Sequence, residues 1–177
     1  NKPVLSSYNG RGVEMVSSQT LNMHTCIDTG GLDMAILVTG GAGYIGSHTC
    51  VELLNSGYEV VVMDNLYNAS EKALERVEQI TGKKLTFYNV DMLDKDAVNA
   101  IFEKESIDSV IHFAGYKAVG ESVQKPLEYY HNNITGSLNL CDVMRHHGVK
   151  KMIFSSSATV YGDPAFVPIT EECPKHD

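Results

Sequence analysis

The feature that most constrains the fold of this chain is a glycine-rich segment at residues 39–48, which reads TGGAGYIGSH. It follows the apolar run 35–38 and precedes a stretch with helical spacing, so the glycines lie where a strand turns into a helix. Gly41, Gly43 and Gly46 match the Gly-x-Gly-x-x-Gly fingerprint, in which glycine permits a tight turn, close backbone approach to a pyrophosphate and close helix–strand packing. The N-terminus of the helix would attract the phosphates. The segment therefore predicts a dinucleotide-binding site.

Strands and helices alternate from residue 34 onward. Short runs rich in Val, Ile and Phe predict five strands, at 35–39, 59–63, 85–89, 109–113 and 151–155. The segments between them predict helices at 44–56, 71–80, 95–104 and 123–147, the last with a break at Gly136. Gly57, Gly82 and Gly148 follow three of these helices and are typical of helix ends. Because unbroken apolar strands suit a parallel sheet covered on both faces, we expect an α/β fold, a doubly wound Rossmann-type sheet of strand order 3-2-1-4-5.

The identity of the dinucleotide is indicated by Asp64, which ends the second predicted strand 18 residues after Gly46. A carboxylate at this point can accept hydrogen bonds from the ribose hydroxyls of NAD and would repel the 2′-phosphate of NADP. No arginine follows within ten residues to bind that phosphate. The alternative is a turn formed by Asp64 and Asn65. Together with the glycine loop, Asp64 favours NAD as the cofactor.

Other segments also follow predicted strands, at the edge where an open α/β sheet places its ligand. Asp91 and Met92 follow the third strand, and the fourth closes with HFAG at 112–115, two residues before Lys117. The fifth ends in SSSATVYG at 155–162, whose hydroxyls can hold a sugar oxygen or share a proton. Simple strand-terminal turns and a solvated lysine are the alternative interpretations.

Composition excludes several classes of function. The formal net charge of −8 argues against a surface for nucleic acid or an anionic membrane, and no apolar run approaches the roughly 20 residues of a membrane helix. The four cysteines lie far apart without a C-x-x-C motif, which favours reduced, buried thiols in a cytoplasmic protein. The seven histidines show no ligand spacing, so we expect no metal.

Residues 1–33 differ from the rest of the chain. They are rich in Ser, Thr, Asn and Gly and lack periodicity. Three origins stay open: a disordered leader, a linker from an upstream domain, or translated sequence before the natural start. We expect residues 34–177 to form an NAD-binding Rossmann-type domain that stops before a substrate domain.

The motifs together resemble those of the UDP-glucose 4-epimerases, which belong to the extended short-chain dehydrogenase/reductase family. The resemblance covers about residues 34–174 and rests on TGGAGYIGSH, DN at 64–65, HFAGYKAVGES at 112–122, YYHNN at 129–133 and SSSATVYGD at 155–163. It implies an enzyme that interconverts UDP-galactose and UDP-glucose through a transient 4-keto sugar and bound NAD. It also implies a UDP-sugar substrate and a homodimeric full-length protein.

The resemblance implies roles for individual residues. Ser157 would be a catalytic serine, and Ser157, Ala158 and Thr159 would touch the substrate sugar. The implied cofactor-binding residues are Gly40, Gly43, Tyr44, Ile45, Gly46, Asp64, Asn65, Leu66, Tyr67, Asn68, Ala69, Asp91, Met92, Phe113, Ala114, Gly115, Tyr116, Lys117 and Asn132. Tyr116 stands where these enzymes often have leucine.

One expected catalytic element is missing from the sequence. The base of this family is the tyrosine of a Tyr-x-x-x-Lys pair, in which the lysine lowers the pKa of the tyrosine. None of the nine tyrosines has a lysine four residues later. We therefore expect the chain alone to be inactive. A non-catalytic NAD-binding module and an epimerase of a related UDP-sugar, such as an N-acetylated one, are the alternatives.

Overall fold

The computed structural model describes residues 5–8, 13–15, 34–163, 166–170 and 172–174. The strands, in chain order, are β1 (Leu5–Tyr8), β2 (Val13–Met15), β3 (Ala35–Thr39), β4 (Glu59–Asp64), β5 (Thr86–Asn89), β6 (Ile107–His112) and β7 (Lys151–Ser155). The α-helices are α1 (Tyr44–Asn55), α2 (Lys72–Thr81), α3 (Lys95–Lys104), α4 (Val119–Gln124), α5 (Pro126–Tyr130) and α6 (Gly136–His146). A π-helical segment, His131–Thr135, joins α5 to α6, and a 3₁₀ turn, Ala158–Tyr161, follows β7.

The sheet confirms the predicted topology. Its strand order is β2-β1-β7-β6-β3-β4-β5, and the five strands from β3 to β7 pair in parallel. Numbered along the chain from β3, these five strands have the order 3-2-1-4-5, as the sequence predicted. Because every crossover returns to the same end of the sheet, the carboxyl ends of the parallel strands all lie at one edge.

The two faces of the sheet bury different residues of the same strands. Ile36, Val38, Val60 and Val62 pack on α1 and α2, whereas the neighbouring Leu37 packs on the opposite face. That second face is completed by α3 and α6, whose buried residues include Val98, Ile101, Phe102, Leu140 and Val143. Successive strand residues thus alternate between two apolar layers, which explains why the strands read as unbroken apolar runs.

The ends of the helices follow local sequence signals. The side chain of Asp94 accepts a hydrogen bond from the backbone N–H of Ala97 (3.0 Å) and caps the start of α3. At their carboxyl ends, α1, α2 and α6 lead into Gly57, Gly82 and Gly148, all with positive φ. A side chain added at any of these three glycines would have no neighbouring atom within 4 Å. These turns lie at the edge of the sheet opposite to the carboxyl ends of the strands.

The helix predicted at 123–147 is wrong in its start and in its continuity. Helical structure begins four residues earlier, at Val119, and Pro126 opens a separate helix because proline lacks the N–H that would continue α4. The break expected at Gly136 is present as the π-helical segment immediately before it. A Cβ on Gly136 would lie 3.1–3.2 Å from atoms of Met92, so glycine allows α6 to pack closely there.

The backbone also differs from the expectation of an irregular segment at 1–33. β1 and β2 pair antiparallel with each other, and β1 pairs antiparallel with β7 through registers such as Ser6 with Phe154. The sequence did not predict these strands because they are short and have no apolar pattern of their own. Strand β1 is defined instead by its pairing with β7, which is distant in the chain. The rest of 1–33 lies outside the described residues.

Burial of the cysteines agrees only in part with expectation. Cys50 is buried in α1, and burial raises the pKa of its thiol to about 12, so it stays protonated. Cys141 was expected to be buried but is exposed on α6.

Within the part of the chain that the structure describes, no helix is both long enough and apolar enough to span a bilayer.

Candidate functional site

A cleft lies at the carboxyl edge of the sheet, around the ends of β3, β4, β5 and β6. Strand β3 is central, and the chain leaves it toward β4 on one side and returns to β6 on the other, which is the position where open α/β sheets bind ligands. Nineteen residues line the cleft, namely Gly40, Gly43, Tyr44, Ile45, Gly46, Met63, Asp64, Asn65, Tyr67, Asn68, Val90, Asp91, Met92, Phe113, Ala114, Gly115, Tyr116, Lys117 and Asn132.

This lining can be compared with the expected cofactor residues. Seventeen of the nineteen expected residues line the cleft, and the other two, Leu66 and Ala69, instead pack on the core face formed with α1 and α2. Met63 and Val90 line the cleft but were not singled out from the sequence. Ser157 and Thr159 are not among the described lining residues.

The glycine loop forms the floor of the cleft, and its backbone leaves no room for side chains. Gly40 has a φ of +70° and donates its N–H to the carbonyl of Met63 (2.8 Å). A Cβ on Gly46 would lie 2.3 Å from the Gly40 carbonyl oxygen, and one on Gly40 would lie 2.7 Å from the Ala114 nitrogen. No side chain caps α1 at Gly43, so its first N–H groups are available to a ligand. This cradle fits a pyrophosphate, because backbone donors and a helix dipole converge there.

Asp64 connects two loops of the cleft. One carboxylate oxygen accepts from the backbone N–H of Ala42 in the glycine loop (3.0 Å), and the other accepts from that of Leu66 (2.9 Å). The second bond supports Leu66 in a left-handed conformation, with a φ of +56°. Asp64 is therefore a turn-forming residue as well as a candidate ribose ligand, since each carboxylate oxygen retains a further lone pair.

Asp91 plays a similar part on the neighbouring loop. Its carboxylate accepts from the Asn65 side-chain amide (2.8 Å) and from the backbone N–H of Leu93 (2.8 Å). The loops after β4 and β5 are thus held together by charge-assisted hydrogen bonds. The arrangement builds one continuous wall on this side of the cleft.

On the other side of the cleft, a buried hydrogen-bond chain fixes the end of β6. The Ser137 hydroxyl donates to the Asn133 carbonyl (2.7 Å), so it accepts from His112 Nε2 (3.0 Å). His112 Nδ1 is then the acceptor for the Thr39 hydroxyl (2.6 Å). A neutral imidazole, protonated on Nε2, satisfies both hydrogen bonds of the ring. Burial of the ring, and secondarily the charge of Lys117, lower the pKa of His112 to about 4.

The π-helical segment supplies the asparagines of the site. Asn132 lines the cleft, and its amide donates to the Asn133 side-chain oxygen (2.9 Å). Asn133 in turn accepts from the backbone N–H of Tyr116 (2.7 Å) and donates to its carbonyl (2.9 Å). Sequence reasoning missed Asn133, although its place beside the expected Asn132 was a signal. Segments of this helix type are frequent at functional sites.

Lys117 and Ser157 are two further polar groups that a ligand could reach. Among the described residues, no hydrogen bond or ion pair engages the Lys117 amino group, which is exposed at the cleft. The Ser157 hydroxyl accepts from the backbone N–H of Thr159 (3.2 Å) and lies 2.9 Å from the Thr159 hydroxyl. In the described part of the chain, no group of three or more His, Cys, Asp or Glu residues is arranged to hold a metal ion.

Comparison with known families identifies the family of this chain. The model of the NAD dependent epimerase/dehydratase family matches residues 36–177. The chain belongs to this family. The family is defined by NAD-dependent members, which agrees with the cofactor predicted from the glycine fingerprint and Asp64.

Individual members of the epimerase/dehydratase family show the same relationship. The chain is 68% identical to the UDP-glucose 4-epimerase of Bacillus subtilis (strain 168) over 141 residues, which are 80% of this chain and 42% of the relative. It superposes on UDP-glucose 4-epimerase from Bifidobacterium longum, solved in complex with NAD⁺ and UDP, with a TM-score of 0.77 and 58% identity, over 81% of this chain and 43% of the other.

A further solved structure is also similar to this chain. The UDP-Glc/GlcNAc 4-epimerase of Campylobacter jejuni has a TM-score of 0.73 and 40% identity, over 81% of this chain and 43% of its own. In each comparison the chain spans about two fifths of the length of its epimerase/dehydratase relative.

Proposed function

We propose that this chain is the NAD-binding part of a UDP-glucose 4-epimerase, which interconverts UDP-galactose and UDP-glucose through a transient 4-keto sugar. The observation that carries the proposal is the 68% identity to a curated UDP-glucose 4-epimerase over the same residues that build the cleft.

The positions of the residues in the cleft suggest which part of the cofactor each of them would contact. Gly40, Gly43 and Gly46, with the start of α1, would hold the pyrophosphate. Asp64 and the loop after it would hold the adenosine ribose, and Asp91 and Met92 would border the adenine. The segment 113–117 and Asn132 would contact the rest of the cofactor. These assignments are supported by the common cleft in which the residues lie.

The chemistry implied is a reversible oxidation at C4 of the sugar, for which NAD supplies the hydride acceptor. The residues of this chain would bind and orient the reactants, and Ser157 would share a proton with the 4-hydroxyl of the sugar while Thr159 helps to hold it. The hydroxyl pair at 2.9 Å and the Thr159 N–H give the Ser157 oxygen a defined direction. The Tyr-x-x-x-Lys base is absent from the 177 residues.

The absence of this base gives the direct test. Purified 177-residue chain, incubated with NAD and UDP-galactose, is expected to form no detectable UDP-glucose, because none of its tyrosines has the lysine four residues later that would lower its pKa. The full-length relative from Bacillus subtilis, assayed in parallel, is the positive control. Turnover by the chain alone would contradict the assignment of the base. Failure of the chain to bind NAD would instead contradict both hypotheses, the epimerase part and the non-catalytic NAD-binding module.

The ribose assignment of Asp64 has its own test. Asp64→Asn keeps the shape of the side chain but removes its charge, and we expect it to weaken NAD binding at least 10-fold, since hydrogen bonds to a charged acceptor contribute about 1.5–3 kcal/mol. Isothermal titration with NAD measures the change. Asp96→Asn, on the exposed side of α3, is the matched control and should bind NAD like the unchanged chain. Equal affinity in Asp64→Asn would show that the ribose is held elsewhere.

We also propose that the complete protein is a homodimer. An apolar stripe at spacings of three and four residues runs along α4, α5, the π-helical segment and α6, and consists of Val119, Val123, Leu127, Tyr130, Ile134 and Leu138. Each side chain is at least half exposed, and exposed apolar residues at helical spacing are typical of an interface. The mass of the complete protein in solution tests the proposal.

Location and other partners follow from composition alone. The widely spaced cysteines support a cytoplasmic location. The net charge of −8 supports the expectation that neither nucleic acid nor an anionic membrane is a partner.

A further inference from the structure

Two tyrosines meet across the cleft. Tyr67 lies in the loop after β4 and Tyr116 in the loop after β6, and their ring centroids are 4.7 Å apart with the planes inclined by 34°. Strand β3 lies between β4 and β6, and the glycine loop follows β3. The ring contact therefore spans the strand that carries the floor of the cleft. Both rings are part of the cleft lining.

The two rings are held to different degrees. The backbone of Tyr116 is fixed by both polar atoms of the Asn133 side chain, at 2.7 and 2.9 Å, and the Tyr129 ring packs edge-on against it at 5.3 Å. Tyr67 is 57% exposed. The contact thus pairs an anchored ring with one that has room to swing outward.

An ionic group lies behind the anchored ring. Glu121 accepts from Lys125 (3.0 Å) and from the Tyr129 hydroxyl (2.8 Å), and these bonds lower the pKa of the Glu121 carboxyl. Tyr129 is thereby fixed between Glu121 and Tyr116. Through Glu121, Tyr129 is tied to α4, so the ring that packs on Tyr116 has a defined position.

We propose that Tyr67 and Tyr116 form an aromatic clasp that retains the bound dinucleotide by closing the cleft above the glycine loop. This inference rests on the proposal that the cofactor occupies the cleft. A dinucleotide lying along the carboxyl edge must pass between the floor and the two rings to leave. The ring contact therefore has to open before dissociation, and its loss should appear mainly in the dissociation rate.

The test measures the dissociation of NADH from the 177-residue chain. NADH fluorescence is followed by stopped flow after excess NAD is added. Tyr116→Leu and Tyr67→Ala are each expected to speed dissociation roughly 3- to 10-fold, the range that corresponds to one aromatic pair. The double variant should be no faster than the faster single variant, because both changes break the same contact.

A control and two clear contrary outcomes complete the experiment. Tyr130→Leu removes an exposed tyrosine that does not line the cleft and should leave the rate unchanged. If the unchanged chain binds NADH but the effects of the two single variants multiply, or both variants keep the original rate, the clasp is wrong and the cofactor site stands. If the unchanged chain fails to bind NADH, the proposed cofactor role of the cleft falls and the clasp with it. Tyr67→Ala, at an exposed position, provides the test even where Tyr116→Leu does not fold.

Discussion

Gly46→Ala is expected to remove NAD binding, with an affinity at least 100-fold lower, and to destabilise the fold by about 2 kcal/mol or more. The added Cβ would lie 2.3 Å from the Gly40 carbonyl oxygen and 2.7 Å from the Gly41 Cα. Both neighbours are backbone atoms of the same loop, so the clash cannot be relieved by turning a side chain. The loop must shift, and its backbone donors then no longer converge on one point. Isothermal titration with NAD and urea denaturation measure the two effects.

Gly120→Ala is the matched control for this substitution. Gly120 lies in α4, and a Cβ there would have no neighbour within 4 Å. Alanine favours helix over glycine by up to about 1 kcal/mol, so this variant should bind NAD normally and be as stable or slightly more stable. Normal NAD binding by Gly46→Ala would show that the phosphates do not rest on the glycine loop.

The second large effect is a loss of stability in acid that originates at His112. Its folded pKa, about 4, lies below the ordinary value of 6.5, so between these two values the unfolded chain binds more protons than the folded chain. Stability therefore rises with pH through this window. The contribution is fully present above pH 6.5 and is lost as the pH falls toward 4. From pH 7.5 to 4.5 we expect a loss of roughly 2–3 kcal/mol from this group.

The physical origin of this loss is the closed hydrogen-bond chain around the ring. In the neutral state Nδ1 accepts from Thr39, and a proton on Nδ1 would oppose that bond in a site where the ring is only 1% exposed. Urea denaturation at several pH values measures the slope. His112→Gln should flatten it, whereas His48→Gln, at an exposed histidine on α1, should keep it. Equal slopes in the unchanged chain and His112→Gln would refute the assignment.

The strands of this fold were predictable because their signal is local. The central parallel strands β3, β4 and β6 are buried on both faces, so each appears in the sequence as an apolar run. Most residues that line the cleft lie at the ends of the parallel strands or in the segments that follow them. Leu66 and Ala69 were expected in the cleft, but they pack on the core, whereas Tyr67 and Asn68 between them line the cleft. Whether a loop side chain faces the cleft or the core depends on turn geometry, here the positive φ of Leu66, which no sequence pattern specified.

The features that escaped prediction depend on partners far apart in the chain. The Thr39–His112 bond joins residues separated by 73 positions, and the Asn133–Tyr116 pair requires the π-helical segment to turn the asparagine inward. Likewise, β1 was not foreseen because it is defined by its pairing with β7. Ser157, expected at the sugar, lies beyond the described cleft lining, so its role stays a proposal.

The turns at Gly57, Gly82 and Gly148 give this protein a second, practical property. They lie at the amino ends of β4, β5 and β7, with open space around each glycine, whereas the cleft lies at the carboxyl ends. A reporter dye, an affinity peptide or a surface linker attached at the Gly82 turn would thus be separated from the cleft by the length of the strands. The fold therefore places a site suitable for chemical attachment at the end of the sheet opposite to the proposed cofactor site.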